Sequence, residues 1–418
     1  MAKLIIEGGK TLNGKITVAG NKNSVLPIMA ATLLTDDECV IENVPQILDV
    51  EVMSELLTKC GAEINGVGSR TLTICAKNIK KASLDSELTQ KLRASSLVLG
   101  PMLSRVGQVE IGYPGGDIIG RRPLDTHIQA LGELGAKVEK RDHSFFAKAS
   151  GLAGTDIFLE EASVTATENT LMAAVLAKGT TKIRRAASEP HVVDLCEFLI
   201  KMGAKISGVG SNVLTIEGVD KLTGTTHSVR IDHIEVGTFA ILGAICGGTL
   251  EISPIIKDDL DSILQILDKF NVDYQINKDT MVVKRSKLTA VEKVVTDIWP
   301  GFPSDLMAPT IVLATQAEGV TLLHDWMYES RMFFVDKLLS MGAKVEIADP
   351  HRVLVYGPSK LISQRLDTPD IRAGMALLIA ALTASGTSEI DKAELIERGY
   401  ENIVERLSQL GAKIVKQE

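Results

Sequence analysis

The chain reads as an α/β protein made of six strand-helix-strand-helix-strand units of about 70 residues, grouped as two similar domains of three units each. One short phrase recurs along its length, a strongly apolar run recurs ahead of it, and a polar or charged residue stands at the head of each run. All three features share one period.

The recurring phrase is "KCGAEI" (59–64), "ELGAKV" (133–138), "KMGAKI" (201–206), "KFNVDY" (269–274), "SMGAKV" (340–345) and "QLGAKI" (409–414). Its glycine position falls at 61, 135, 203, 271, 342 and 411, giving spacings of 74, 68, 68, 71 and 69. The phrase predicts a helix closed by a left-handed residue and followed by a strand that opens on an apolar side chain. Asn271 replaces glycine once, and asparagine is the next most tolerant residue in that conformation. A second turn precedes a strand in most units, with Gly107, Gly179, Gly248, Gly319 and Gly386. The first unit has "DDECVI" there and no glycine.

The apolar runs are "SVLPIMAATLL", "SSLVLGPML", "NTLMAAVLA", "GTFAILGAI", "MAPTIVLA" and "GMALLIAALTA". Three units make roughly one domain, so the expected domains are residues 22–230 and residues 1–21 with 231–418. Chain crossovers are expected near "VAGNKNS" (18–24) and "THSVRIDHIEVG" (226–237), which would place the first strand with the C-terminal half. A cleft between two such domains is the expected place for a ligand.

Lys22, Arg93, Ser163, Asp232, Asp305 and Arg372 head the runs at spacings of 71, 70, 69, 73 and 67. Ser163, Thr165, Asp232 and Asp305 suit ordinary helix N-caps. Lys22, Arg93 and Arg372 do not, because a cation at a helix N-terminus opposes the dipole and needs an anion or a buried carboxylate beside it. Arg331, Arg398, the Arg121–Arg122 pair and His127 complete the candidates, His127 suiting a satisfied core histidine as well as a ligand contact. "YPGGDIIGRRP" (113–123) reads as a mobile acidic loop near an anion, with Gly115 and Gly116 supplying hinge freedom for closure over substrate.

Composition narrows the function. A net charge of −8 and a pI near 5.6 disfavour a general polyanion binder or a basic clamp, so an anion site must be a local cluster of Lys and Arg. Five scattered cysteines read as reduced thiols, and the histidines show no metal spacing. No cofactor or metal is expected. The N-terminus does not read as a signal peptide, and "MALLIAALTA" (375–384) is about half a membrane span, so a cytoplasmic protein is expected.

"AGNKNSVLPIMAATLL", "KLRASSLVLGPML", "PGGDIIGRRPLDTHI", "FPSDLMAPT" and "IERGYENIVERL", in this order over essentially the whole chain, resemble the UDP-N-acetylglucosamine 1-carboxyvinyltransferases. The resemblance implies the inside-out α/β barrel of the enolpyruvyl transferases. It also implies transfer of the enolpyruvyl group of phosphoenolpyruvate to the 3′-hydroxyl of UDP-N-acetylglucosamine with release of phosphate, the first committed step of peptidoglycan synthesis. By position it assigns Lys22, Asn23, Arg122, Arg331, Arg372 and Arg398 to phosphoenolpyruvate. Arg93, Arg122, Pro123, Leu124, Asp125, Thr126, His127, Ser163, Val164, Asp305 and Met327 fall to the UDP-sugar. Asp305 is then the base at the sugar hydroxyl, Asp117 the acid, and Lys22 the balance for phosphate charge.

Two positions depart from the family pattern. Asp117 stands where most members carry the cysteine alkylated by fosfomycin, which implies insensitivity to that antibiotic. An aspartate ionises far more readily than a thiol, so Asp117 must be held protonated to serve as an acid at neutral pH. Glu161 stands where a lysine near the nucleotide is common. The sister family, 5-enolpyruvylshikimate-3-phosphate synthase, and a catalytically silent UDP-sugar-binding paralogue are the alternatives.

Overall fold

The computed structural model describes residues 2–80, 82–84, 86–117 and 119–417. Among them the strands form six four-stranded sheets. The third unit shows the plan: strand Asp156–Phe158, helix Val164–Ala174, strand Thr180–Arg184, helix Pro190–Lys201, then strands Lys205–Ser207 and Val213–Glu217. The first two strands run parallel, joined by the buried helix, and the last two form an antiparallel hairpin whose second strand pairs with Thr180–Arg184.

The repeated phrase ends a helix in the same way six times. Residues 61, 135, 203, 271, 342 and 411 all have positive φ, from 59° at Asn271 to 104° at Gly203. The residue after each returns its N–H to a carbonyl five residues back, as in Ala62 to Leu57, Ala204 to Leu199 and Ala412 to Leu407. This is the Schellman closure, and it satisfies carbonyls that the helix end leaves open. Gly248 differs: it lies in strand Gly247–Ser253, and a Cβ there would sit 2.2 Å from Asn13 Oδ1, so the Asn13 side chain would have to move.

Two compact units result: residues 20–116 with 122–230, and residues 2–19 with 117–121 and 231–417. Each borrows a strand from a distant part of the chain. Thr226–Ser228 pairs in parallel with Glu38–Glu42, and Leu12–Thr17 pairs in parallel with Gly247–Ser253. Lys3–Glu7 lies between Thr387–Asp391 and Lys413–Gln417 and completes the last sheet. The loop expected within 22–230 is divided, because Arg398 binds Asp117, Glu329 accepts the Arg121 N–H and the Ile119 carbonyl accepts the Ser330 N–H.

Each unit has its own apolar core. In the unit holding the C-terminus, helices His233–Cys246, Met307–Thr315 and Ile371–Thr383 pack against one another and are buried almost throughout. Helices apolar on every side belong inside. Strands such as Lys3–Glu7 and Thr180–Arg184 alternate fully buried with less buried positions, so one sheet face packs into the core and the other faces outward. The arrangement is the inside-out α/β barrel. Fully burying an aliphatic side chain contributes about 1.5–3 kcal/mol, which is why the helix heads can carry polar groups without dislodging the helices behind them. Among the described residues no helix is long and apolar enough to cross a membrane.

Candidate active site

In the unit holding the C-terminus the charged residues at the helix heads converge on Asp305. This residue lies in the single turn Ser304–Leu306, immediately before helix Met307–Thr315. Arg331 Nη2 donates to Asp305 Oδ1 at 3.0 Å, and Arg372 Nε donates to Oδ2 at 3.1 Å with Nη2 3.0 Å from the same oxygen. Both guanidiniums are almost completely buried, their side chains 2% and 5% exposed. Arg372 lies 5.3 Å from the Tyr400 ring centroid and Arg331 lies 5.2 Å from that of Tyr328.

Burial, the largest influence on Arg331, pulls its pKa down, but Asp305, Asp370 and Asp325 outweigh it and the guanidinium is held above its usual value. Burial also opposes the charge on Arg372, which Tyr400, Asp305 and Asp232 more than restore. Arg331 Nε and Arg372 Nη1 are buried donors with no hydrogen-bond partner among the described residues. Spare donors on buried cations suit an anion. Asp117 Oδ1 lies 2.9 Å from Arg398 Nη1 in the same unit, with both side chains largely buried.

The capping expectation divides cleanly. Asp232 accepts the N–H groups of Ile234 and Glu235, and Ser163 accepts that of Ala166, so both are N-caps. Asp305 is not a cap, and neither is Thr165, whose hydroxyl meets His127 Nε2 at 3.0 Å. Two further caps lie outside that series: Asn21, which accepts the Asn23 N–H, and Asp370, which accepts those of Arg372 and Ala373. Asn21 and Asp370 lie 142 and 138 residues from Ser163 and Asp232 respectively, close to two repeat periods, which is the signal that would have found them.

In the other unit, Lys22 opens helix Lys22–Ala31 and pairs at 2.7 Å with Asp49, a carboxylate 1% exposed. The cation at a helix head thus has the buried carboxylate it requires. Arg93 donates to the Pro123 carbonyl at 3.2 Å. Arg93, Arg122, Pro123, Leu124 and Asp125 line a cavity of about 260 Å³. Tyr113, Pro114, Ile128, Lys140 and Phe145 complete its lining. The two rings meet edge to face at 4.8 Å, and Lys140 Nζ lies 6.0 Å from the Tyr113 ring centroid. Lys140 and Phe145 belong to a hairpin that the period marked only as structure. Three cations against aromatic and proline walls suit a ligand with a flat ring and an anionic group.

His127 is buried, and burial with the nearby Arg93 charge pushes its pKa down to about 3. It is a neutral imidazole held against Thr165. Thr126 is buried beside it, Val164 begins the helix that Ser163 caps, and Met327 in the other unit donates its backbone N–H to Asp325 at 3.0 Å. Glu161 is exposed.

Two carboxyls on neighbouring helices predict a pH effect. Burial raises Glu168 in helix Val164–Ala174 well above its usual range, with the charge of Glu189 adding to the rise. Burial also raises Glu189, at the head of helix Pro190–Lys201, to about 7. A carboxyl raised by folding binds a proton that the unfolded chain has already released. Its stabilisation is complete below the unfolded value and is lost as pH rises through the folded one. The melting temperature of the native protein is therefore expected to fall relative to that of a Glu189→Gln variant as pH rises from about 4.5 to about 7. Parallel melting curves over that range would rule Glu189 out as the cause.

The comparisons agree with this architecture. The family model described as EPSP synthase (3-phosphoshikimate 1-carboxyvinyltransferase) matches residues 6–407. The UDP-N-acetylglucosamine 1-carboxyvinyltransferase of Borreliella burgdorferi is 47% identical, over 100% of this chain and 99% of its own. That of Bradyrhizobium diazoefficiens is 49% identical, over 98% and 97%. Among solved structures, the enolpyruvyl transferase NikO from Streptomyces tendae superposes with a TM-score of 0.90 at 25% identity, over 100% of this chain and 99% of that one. EPSP synthase from Acinetobacter baumannii, at 18% identity and a TM-score of 0.77 over the full length of both chains, shares the fold. With its six-unit architecture, its arginine-bound Asp305 and full-length relatives of nearly half-identical sequence, the chain belongs to the enolpyruvyl transferases, in the family of the UDP-N-acetylglucosamine 1-carboxyvinyltransferases.

Proposed function

We infer that the protein transfers the enolpyruvyl group of phosphoenolpyruvate to the 3′-hydroxyl of UDP-N-acetylglucosamine and releases inorganic phosphate, opening peptidoglycan synthesis. The observation that carries the residue roles is Asp305 held between two buried arginines that keep spare donors. A carboxylate able to take a proton and cations able to take an anion stand together, as adding an alcohol to an anionic enol requires.

The reaction runs in two steps. The sugar hydroxyl oxygen bonds to C2 of phosphoenolpyruvate as its proton passes to Asp305, and a proton delivered to C3 turns the methylene into a methyl group. The tetrahedral adduct then collapses: the C2–O bond to phosphate breaks, phosphate leaves, and C3 returns a proton to the Asp117 carboxylate to restore the double bond. Arg331, Arg372, Arg398, Lys22, Asn23 and Arg122 serve the donor's carboxylate and phosphate. Lys22 offsets phosphate charge as the adduct forms and collapses. Asp117, displaced from Arg398 by a substrate anion, takes up a proton from water and delivers it to C3. Arg93, the segment from Arg122 to His127, Ser163, Val164 and Met327 hold the UDP-sugar. The phosphorylated substrates support a cytoplasmic site of action.

Phosphate release tests this reading. Release from phosphoenolpyruvate is expected with UDP-N-acetylglucosamine and not with shikimate 3-phosphate. Release with neither acceptor, despite UDP-sugar binding, would leave a silent paralogue.

A further inference from the structure

We propose that Asp325 is a positioning residue for the transfer, tying the turn that carries Asp305 to the segment that carries Met327. The inference rests on the reading of Asp305 as the base and of Met327 as a sugar contact. Asp325 is fully buried at the end of strand Gly319–His324. Its Oδ2 accepts the hydroxyl of Ser304 at 2.5 Å, and its Oδ1 accepts the Met327 N–H at 3.0 Å and the Thr296 hydroxyl at 3.2 Å. Its backbone is held on both sides, the N–H donating to the His351 carbonyl at 2.9 Å and the carbonyl meeting His351 Nδ1 at 2.7 Å. One rigid carboxylate therefore grips the residue next to Asp305 and the backbone of Met327 at once.

The grip matters because the turn is weak by itself. Ser304–Leu306 is a single 3₁₀ turn headed by Pro303, with no side-chain cap. Arg331 and Arg372 hold the two oxygens of Asp305, and the Ser304 bond adds a side-chain tether to the residue just before it. The negative charge of Asp325 also helps to hold Arg331 charged. Misplacing a reacting group by about 1 Å can cost about 10²-fold in rate.

Steady-state kinetics on single variants test the proposal. Ser304→Ala is expected to lower kcat by about tenfold, a fraction of the cost of a full 1 Å displacement, with the KM for UDP-N-acetylglucosamine unchanged. Ser304→Thr, which keeps the hydroxyl, should restore kcat. Asp325→Asn is expected to lower kcat and also to raise that KM, since it weakens the Met327 bond as well. Thr296→Val loses a bond to the same carboxylate but leaves the Ser304 and Met327 bonds in place, so it should lower kcat less than Ser304→Ala does. This pattern separates positioning from general support of the fold, and Ser304→Ala decides the matter if Asp325→Asn does not fold. An unchanged kcat in Ser304→Ala beside a crippled Asp305→Asn would overturn the proposal and leave the base in place. An unchanged kcat in Asp305→Asn would overturn both.

Discussion

Asp305→Asn is expected to lower kcat by about 10²–10⁴-fold, the usual contribution of a positioned acid or base, while the enzyme still binds UDP-N-acetylglucosamine. The amide matches the carboxylate in shape but cannot accept the hydroxyl proton. It also presents an NH₂ group where one of the oxygens now faces a guanidinium, and Arg331 and Arg372 are buried where water cannot replace the lost partner. Breaking one side of a fully buried ion pair costs about 3–5 kcal/mol. The Asp305 side chain is 30% exposed, so solvent screens part of that cost. A lower melting temperature should accompany the lost turnover. Rapid-quench measurement of the tetrahedral adduct locates the defect: the adduct should form slowly, not merely decay slowly. A variant keeping more than a tenth of native kcat would remove Asp305 from the role of base.

Turnover is expected to continue at the native rate in millimolar fosfomycin, and Asp117→Cys is expected to convert the enzyme to one inactivated by it, with one covalent adduct per chain by mass spectrometry. Inactivation needs a thiolate to open the epoxide, forming a C–S bond as the C–O bond breaks, and a carboxylate is a far poorer nucleophile toward that carbon. The native thiols offer no substitute at the loop. Cys39, Cys60, Cys196 and Cys246 are buried, and burial pushes their pKa values up to about 11 or 12; Cys75 is partly exposed but ends strand Thr71–Cys75, outside the loop, with its thiol on the Asp36 carbonyl. Asp117 is held by Arg398 in a largely buried pair, and a cysteine there would share a cation that favours the reactive thiolate. Native enzyme alkylated at any other residue with loss of activity would contradict the expectation. An Asp117→Cys enzyme that is active yet unmodified would show that the loop side chain does not reach the reacting atoms.

Much of this molecule is legible one residue at a time. The left-handed residue at the end of six helices is visible because few side chains tolerate positive φ, so the backbone demand writes itself into the sequence as Gly or Asn. The apolar helices are visible because burial on every side leaves no polar face. The heads of those helices are visible because polar residues interrupt apolar runs at the repeat period, which singled out Lys22, Arg93, Asp305 and Arg372 before any fold was in hand.

What each of these groups touches was not legible. Asp49 looks like an ordinary first-turn carboxylate of helix Leu48–Cys60, yet it is the partner of Lys22. Asp325 looks like a loop residue, and Lys140 and Phe145 look like hairpin residues. Asp305 and Ser163 stood in one series, but one binds two arginines and the other caps a helix. Period, turn chemistry and burial pattern are local properties of the backbone, so the sequence alone determined the six units and the residues at their heads. Pairing between charges depends on side chains brought within about 3 Å from positions tens to hundreds of residues apart, so only the tertiary structure decided which carboxylate meets which cation.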